Sequence, residues 1–279
     1  GTAGDVGTVG ITGNTLENNE VGLRFGGGAH LEAGTYGITG NTFTANTEHQ
    51  FRSTGNVFDG TEVFGLFSSG WSNTYDTATV VADAADVVQS TTSLNIRPGI
   101  QQSIDDASAG DHVVVLSGTG TAYAEDLVID KADLTLRSTT GRDNTTLQLV
   151  SASSGIAVQA GGVGLTLGGG ANRGFKILSG ATTDDLVNVD DGDVTVSYNA
   201  LDTTGNADCG VYAMQEAGLI IEQNQFTGTA SSSILGHNTV DLQVQDNDFT
   251  GPGGTGAALV LGGVTTSALA ESVISGNQI

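Results

Sequence analysis

The chain of 279 residues carries 31 Asp and Glu against 8 Lys and Arg. This net charge of −23 excludes nucleic acid as a partner, and the lack of a long apolar run excludes membrane insertion. The single cysteine, Cys209, excludes an intramolecular disulfide and a cysteine-based metal site. The 43 Gly and only 2 Pro indicate a chain that turns often yet keeps its backbone N–H donors for hydrogen bonding.

A short phrase recurs along the chain: an alternating apolar strand, an Asn, and an apolar residue two places after the Asn. Residues 10–16 and 37–43 carry the first two copies, with Asn14 and Asn41 separated by 27 positions. A phrase repeated at such an interval is typical of a solenoid, in which each repeat forms one coil. We therefore predict that residues 1–65 are the terminal coils of one β-helix block.

Residues 66–93 interrupt the phrase and are predicted to connect two blocks. The second block is predicted over residues 94–279, and it opens with a strand followed by a helix at about 98–109. Pro98 fits the first turn of this helix, apolar residues recur on one face at helical spacing, and Gly110 supplies the stop. Alternating strands follow, beginning with a run of valines.

The opening of this second block resembles that of the pectin-lyase-like superfamily of right-handed parallel β-helices. Residues 100–115 read IQQSIDDASAGDHVVV, and the superfamily has a capping helix with a phrase of the type I-x-x-A-I-x-x-A-x-x-G-D-x-V-x-V. The resemblance implies an all-β, right-handed parallel β-helix with a short capping helix and stacked turn asparagines. The superfamily includes lyases, hydrolases, epimerases, adhesins and phage tailspikes, so the resemblance alone leaves the activity open.

The phrase returns four more times in the second block, at Asn199, Asn224, Asn247 and Asn277. The intervals of 25, 23 and 30 residues suit coils of two to three short strands with turns. Each Asn is predicted to hydrogen-bond its equivalent on the next coil. The predicted structural ladder comprises Asn14, Asn41, Asn199, Asn224, Asn247 and Asn277.

The chain ends inside a copy of the phrase at Ile279, while its start supplies another copy. We therefore expect a segment of a longer repetitive surface protein, or a subunit that stacks end to end on copies of itself.

Carboxylates concentrate between residues 184 and 193. This cluster has three interpretations: Asp and Gly as ordinary turn residues, an irregular Ca²⁺ site, or acid–base catalysis on a glycosidic bond. The candidate metal ligands are Asp184, Asp185, Asp190, Asp191 and Asp193.

The catalytic alternative involves Asp190 and Asp191 together with a basic residue. Polysaccharide lyases of the resembled superfamily use such a residue to remove a proton beside a Ca²⁺-clamped carboxylate, and Lys176 is the candidate here. His237 is a candidate partner of Tyr212 in acid–base chemistry, with an ordinary loop-facing histidine as the alternative.

The sequence leads to a non-catalytic function as the first hypothesis: an extracellular or cell-surface structural or adhesive β-helix module. Ca²⁺ is the only candidate cofactor, and copies of the chain or neighbouring repeats are the expected partners. The competing hypotheses are a carbohydrate-active enzyme and a glycan-binding module, both with polysaccharide as partner.

Overall fold

The computed structural model describes residues 9–25, 36–54, 72–82, 93–117, 120–150, 154–180, 184–190, 192–205, 207–214, 217–250, 257–262 and 272–279. The chain is an all-β solenoid of about 8 turns, with a single short helix in the described ranges. No helix among these residues is long and apolar enough to cross a membrane.

The N-terminal coils, residues 9–82, place strands of successive coils side by side in parallel. The strands before each turn asparagine are β1 (Val9–Thr12) and β4 (Tyr36–Thr39). Those directly after it are β2 (Thr15–Glu17), β5 (Thr42–Thr44) and β7 (Thr74–Tyr75). The third strand of each coil is β3 (Val21–Phe25), β6 (His49–Thr54) or β8 (Thr79–Ala82).

Two further elements join these coils to the rest of the chain. They are strand β9 (Ser93–Arg97) and helix α1 (Ile100–Asp106), which is shorter than the predicted 98–109. Strands β7 and β8 belong to the third N-terminal coil, although they lie inside the predicted connection 66–93. The block boundaries themselves stay predictions.

The C-terminal coils, residues 112–279, build three parallel sheets. Sheet 1 contains β10 (His112–Val115), β13 (Thr135–Ser138), β16 (Thr166–Leu167), β19 (Thr195–Ser197), β22 (Ile220–Glu222), β25 (Gln243–Gln245) and β28 (Val273–Ser275). Sheet 2 contains β11 (Tyr123–Ala124), β14 (Thr146–Gln148), β17 (Lys176–Leu178), β20 (Ala200–Asp202), β23 (Gln225–Thr227) and β26 (Asp248–Phe249). Sheet 3 contains β12 (Leu127–Ile129), β15 (Ile156–Val158), β18 (Asp185–Val189), β21 (Cys209–Met214), β24 (Ser232–His237) and β27 (Ala257–Gly262).

Sheet 1 runs on without a break into the N-terminal coils. The complete sheet has 11 strands, and beyond β10 their order is β8, β9, β6 and β3. Strand β9 is antiparallel to both β6 and β8, and β8 is antiparallel to β10. The strands of the N-terminal coils therefore run in the opposite direction to those of the C-terminal coils.

At β10 the solenoid interior passes from one face of this sheet to the other. Val113 and Val115 pack into the core of the C-terminal coils, while Val114 between them packs into the N-terminal core with Val80 and Ile96. Rotating one block by a half-turn about the solenoid axis reverses the direction of its strands and exchanges the two faces of its sheet. Because a rotation does not change handedness, the two blocks wind with the same hand. Parallel strands joined within one sheet cross over right-handedly in about 98% of cases, which is the hand that the resemblance implies.

Helix α1 caps the first C-terminal coil. Ile100 and Ile104 are fully buried in the core, and the Glu125 carboxylate accepts hydrogen bonds from the N–H groups of Ile100 (2.7 Å) and Gln101 (2.9 Å). The side-chain amide of Gln101 accepts from the Val128 N–H and donates to the Val128 carbonyl. Gln101 thus satisfies the open edge of sheet 3, which would otherwise present unpaired backbone groups.

The hydroxyl of Tyr123 joins the two blocks. It lies 2.8 Å from the Ala78 nitrogen, 2.9 Å from the Ala78 oxygen and 2.8 Å from the Leu116 oxygen, and the ring is 2% exposed. Burial raises the pKa of Tyr123, so the hydroxyl keeps its proton and both donates and accepts.

Replacing Tyr123 by Phe is expected to lower the free energy of unfolding by about 1–3 kcal/mol, because the buried Ala78 N–H loses its acceptor. Urea denaturation of the full chain measures this loss. The control is Tyr212→Phe, whose hydroxyl contacts only the Met214 sulfur and whose removal should change stability by less than about 0.5 kcal/mol. Equal stability of the two variants would contradict the bridging role.

Candidate functional site

The turn asparagines form ladders that tie successive coils together. Asn224 is 1% exposed, and its side-chain oxygen accepts a hydrogen bond from the Asn199 N–H at 2.9 Å. Its side-chain nitrogen donates to the Val196 oxygen at 2.7 Å and to the Asn247 side chain at 3.1 Å. Asn247 and Asn277 repeat the arrangement one and two coils later. The donors and acceptors of these amides are therefore engaged in hydrogen bonds to backbone groups and to one another.

A residue with left-handed backbone conformation precedes each ladder asparagine. Tyr198, Gln223 and Asp246 have φ of 60°, 56° and 52°, and Gly13, Gly40 and Gly276 occupy the same place in other coils. Two residues thus turn the chain through a corner, and the asparagine satisfies the backbone groups that this tight corner leaves without intrastrand partners. Asp246 is therefore a turn residue.

The N-terminal coils carry a ladder of their own, in which Asn73 follows Asn14 and Asn41. The Asn41 N–H donates to the Asn73 side chain at 3.0 Å, and the Asn73 amide donates to the Ile38 oxygen. Sequence reasoning missed Asn73, although Asn73-Thr74-Tyr75 matches the Asn-Thr-Leu and Asn-Thr-Phe triplets of the first two copies. A shorter ladder of Asn19 and Asn46 lies at the next corner.

The C-terminal ladder begins at Asn199, because the two preceding coils have loops in place of the two-residue corner. The Asn199 side chain accepts from the Phe175 N–H at 2.9 Å and donates to the Leu167 oxygen. Arg142, from the first of these loops, donates to the backbone oxygens of Asn199 and Gln223 at 3.2 and 3.3 Å. Its guanidinium therefore holds the loop against the ladder.

The Asp-rich corner before sheet 1 has a regular construction. Successive coils place Asp133, Gly164, Asp193, Gly218 and Asp241 at its left-handed position, with φ between 54° and 79°. A Cβ added at Gly164 or Gly218 would collide with the carboxylate of the Asp one coil below. Alternation with Gly gives each carboxylate room and keeps two Asp from stacking on adjacent coils. Asp193 is thus a turn residue.

Two neighbouring strands of sheet 3, β18 and β21, bring Asp184, Asp185 and Asp208 together. Each strand of a sheet forms one rung of the solenoid. Asp185 pairs with Cys209, so Asp208 lies one coil beyond Asp184. Burial raises the pKa of Asp185 to about 6, and the neighbouring carboxylates of Asp184 and Asp208 add to the increase. Among the described residues, no group of three or more His, Cys, Asp or Glu has an arrangement that could hold a metal ion.

The residues of the catalytic alternative lie on different sheets. Lys176 is exposed at the start of β17 in sheet 2, in register with Thr146 and Ala200. Asp190 and His237 are exposed at the C-terminal ends of two strands of sheet 3, β18 and β24. Met214 lies between them, at the end of β21. Asp191 lies outside the described residues.

Replacing Asn224 by Ala is expected to lower the free energy of unfolding by about 2–4 kcal/mol, because it leaves buried backbone groups on the preceding coil without partners. Chemical denaturation measures the loss. Asn144→Ala is the matched control, since the exposed Asn144 makes only a local bond to Thr140. A cost at Asn224 no larger than that at Asn144 would rule out an energetic role for the ladder.

The raised pKa of Asp185 predicts a pH dependence of stability. A carboxyl whose folded pKa is about 6 contributes stability that is present below pH 4 and is lost as the pH rises through 6. Asp185→Asn should remove this loss and stabilise the protein at pH 7 by up to about 1 kcal/mol, because the half-exposed side chain is screened by solvent. Denaturation at pH 4 and pH 7 tests this, with Asp190→Asn as the exposed control. An unchanged pH dependence in Asp185→Asn would refute the assignment.

Comparison with known proteins gives no relative for this chain. No protein-family model, no curated protein and no solved structure matches it. The fold described above therefore rests on the chain's own strand register and core: it is a β-solenoid of about 8 turns.

Proposed function

We propose that the chain is a non-catalytic structural or adhesive module of the extracellular space or cell surface, related to pectin-lyase-like parallel β-helices. The observation that carries this proposal is the continuous sheet of 11 strands through both blocks. At about 4.8 Å per strand it forms a rod roughly 48 Å long. Backbone hydrogen bonds connect each strand of this sheet to the next, as a spacer that resists tension requires.

The repeated corner supports a partnership with further repeats. Each ladder asparagine presents the same donors and acceptors to the next coil, and the ladders accept intervals from 23 to 32 residues. A neighbouring repeat, or a second copy stacked end to end, can continue this pattern in register. The partner that we propose is therefore another stretch of the same phrase.

The charge supports an extracellular location with a role for Ca²⁺. A net charge of −23 favours solubility at high ionic strength, and divalent cations relieve repulsion between carboxylates such as Asp184 and Asp208. Calorimetry of the full chain with Ca²⁺ and with a chelator tests this part. A higher melting temperature in Ca²⁺ supports it, and identical melting curves remove Ca²⁺ from the proposal.

The competing function is a carbohydrate-active enzyme, for which the resemblance of residues 100–115 is the argument. Acid–base chemistry on one substrate needs its side chains within hydrogen-bonding reach of the reacting atoms. The separation of Lys176 from Asp190 and His237 on different sheets supports the non-catalytic proposal.

Incubation of the full chain with a panel of neutral and anionic polysaccharides separates these functions. We expect neither new reducing ends nor unsaturated products. Products that disappear in Asp190→Asn or His237→Ala, while Asn144→Ala retains them, would replace the structural proposal by the enzymatic one. Binding without cleavage would assign a glycan-binding module.

A further inference from the structure

The outer face of sheet 3 carries a row of mainly apolar side chains, one from each coil, with Asn188 as the polar exception. Strand register aligns these positions along the solenoid axis, and the residues on either side of each point toward the interior. Val128 is 40% exposed and Val260 is 37% exposed, and Met214 beside the row is 46% exposed. The sheet 3 row consists of Val128, Ala157, Asn188, Tyr212, Leu235 and Val260.

The outward rows of the other two sheets are more polar. In sheet 1 the corresponding row runs Thr135, Thr166, Thr195, Ile220, Gln243 and Val273, so that four of its six members are polar. In sheet 2 it contains Thr146, Lys176, Ala200, Gln225 and Asp248. A row in which apolar residues predominate, instead of standing singly among polar ones, is typical of an interaction surface.

Carboxylates border the sheet 3 row on both sides. Asp184 and Asp208 stand where the strands begin, and Asp130 and Asp190 stand where they end. Of the eight basic residues only Lys131 lies beside the row, and it pairs with Asp130 at 2.9 Å. A partner that covers the row therefore gains from positive charge on both flanks, and the side face of a second acidic copy is repelled from the row.

The dimensions of the row select the kind of partner. Five rung intervals of about 4.8 Å give a length of about 24 Å, and strands of about four residues give an area of about 350 Å². A stable interface between two folded proteins needs about 800 Å² on each partner. An extended segment of about eight residues spans about 26 Å, which matches the row.

We propose that the sheet 3 row binds an extended basic peptide of about eight residues with alternating apolar and Lys or Arg side chains. Its apolar side chains lie on Tyr212, Leu235 and Val260. Its cationic side chains leave from the opposite face of the extended peptide, and their length lets them bend back past its edges to the bordering carboxylates. The inference deepens the adhesive part of the proposed function and depends on it, because it gives the module a surface and a partner chemistry.

Fluorescence anisotropy with a labelled peptide of four Lys-Val repeats tests the proposal on the full chain. We expect this peptide to bind, with affinity that falls as salt is added, whereas peptides of four Glu-Val or four Lys-Ser repeats do not. Leu235→Asn should weaken binding at least about tenfold, because an apolar contact is lost. Ile220→Asn, an equally half-buried outward substitution on sheet 1, should leave binding unchanged.

Three results would overturn the inference: no binding of the Lys-Val peptide, equal binding of the Lys-Ser peptide, or unaltered binding by Leu235→Asn. Dimers of the chain that form with increasing concentration and disappear in Leu235→Asn would assign the face to a second copy instead. The polysaccharide panel is an independent measurement. Failure of peptide binding with an unreactive panel therefore removes this inference alone and leaves the structural module in place.

Discussion

The side-chain amide of the turn asparagine is the interaction on which this solenoid depends. A two-residue corner leaves backbone groups that neither strand can satisfy, and water cannot reach them at the buried positions of Asn199 and Asn224. One amide offers an acceptor and two donors, which match the N–H and carbonyl of the preceding coil. Because equivalent atoms bond on successive coils, the amide also fixes the register of the strands. Where the asparagine is missing, the corner opens into a loop, and Arg142 spans the gap.

The second constraint is the change of inner face at the junction. Strands β8 and β10 have core on both sides, so they alternate apolar residues toward two different interiors, as Val113 and Val114 do. Strand β9 faces only the N-terminal core, with Leu94 and Ile96. The antiparallel pairing of β9 with β8 reverses the chain direction, and β10 then runs antiparallel to β8 as the first strand of the second block. Helix α1 then covers the side of the sheet where the new interior begins, and Tyr123 fixes the two blocks through the backbone of Ala78.

The high negative charge is accommodated by geometry. At the corner before sheet 1, glycines separate the aspartates by one coil, as Gly218 separates Asp193 from Asp241. Where carboxylates do meet, at Asp184, Asp185 and Asp208, burial raises the pKa of Asp185 and the two neighbouring carboxylates raise it further. The same carboxylates border the sheet 3 row, so the charge that a stacked solenoid must tolerate also gives its apolar face a preference for basic partners.

The sequence by itself determined the repeating unit: alternating strands and turn asparagines whose spacing predicts a solenoid, with a short helix predicted from its own apolar spacing. These features are local or strictly periodic, so a single chain reveals them. It did not reveal Asn73, which follows Asn41 after 32 residues, whereas Asn41 follows Asn14 after 27. It also grouped Lys176, which stands on sheet 2, with Asp190 and His237, which stand on sheet 3. Only the tertiary structure decided the reversal at β9 and the exposed row on sheet 3. Both depend on which strands become neighbours, and hydrogen bonds between strands far apart in sequence, such as β6 and β9, set that order.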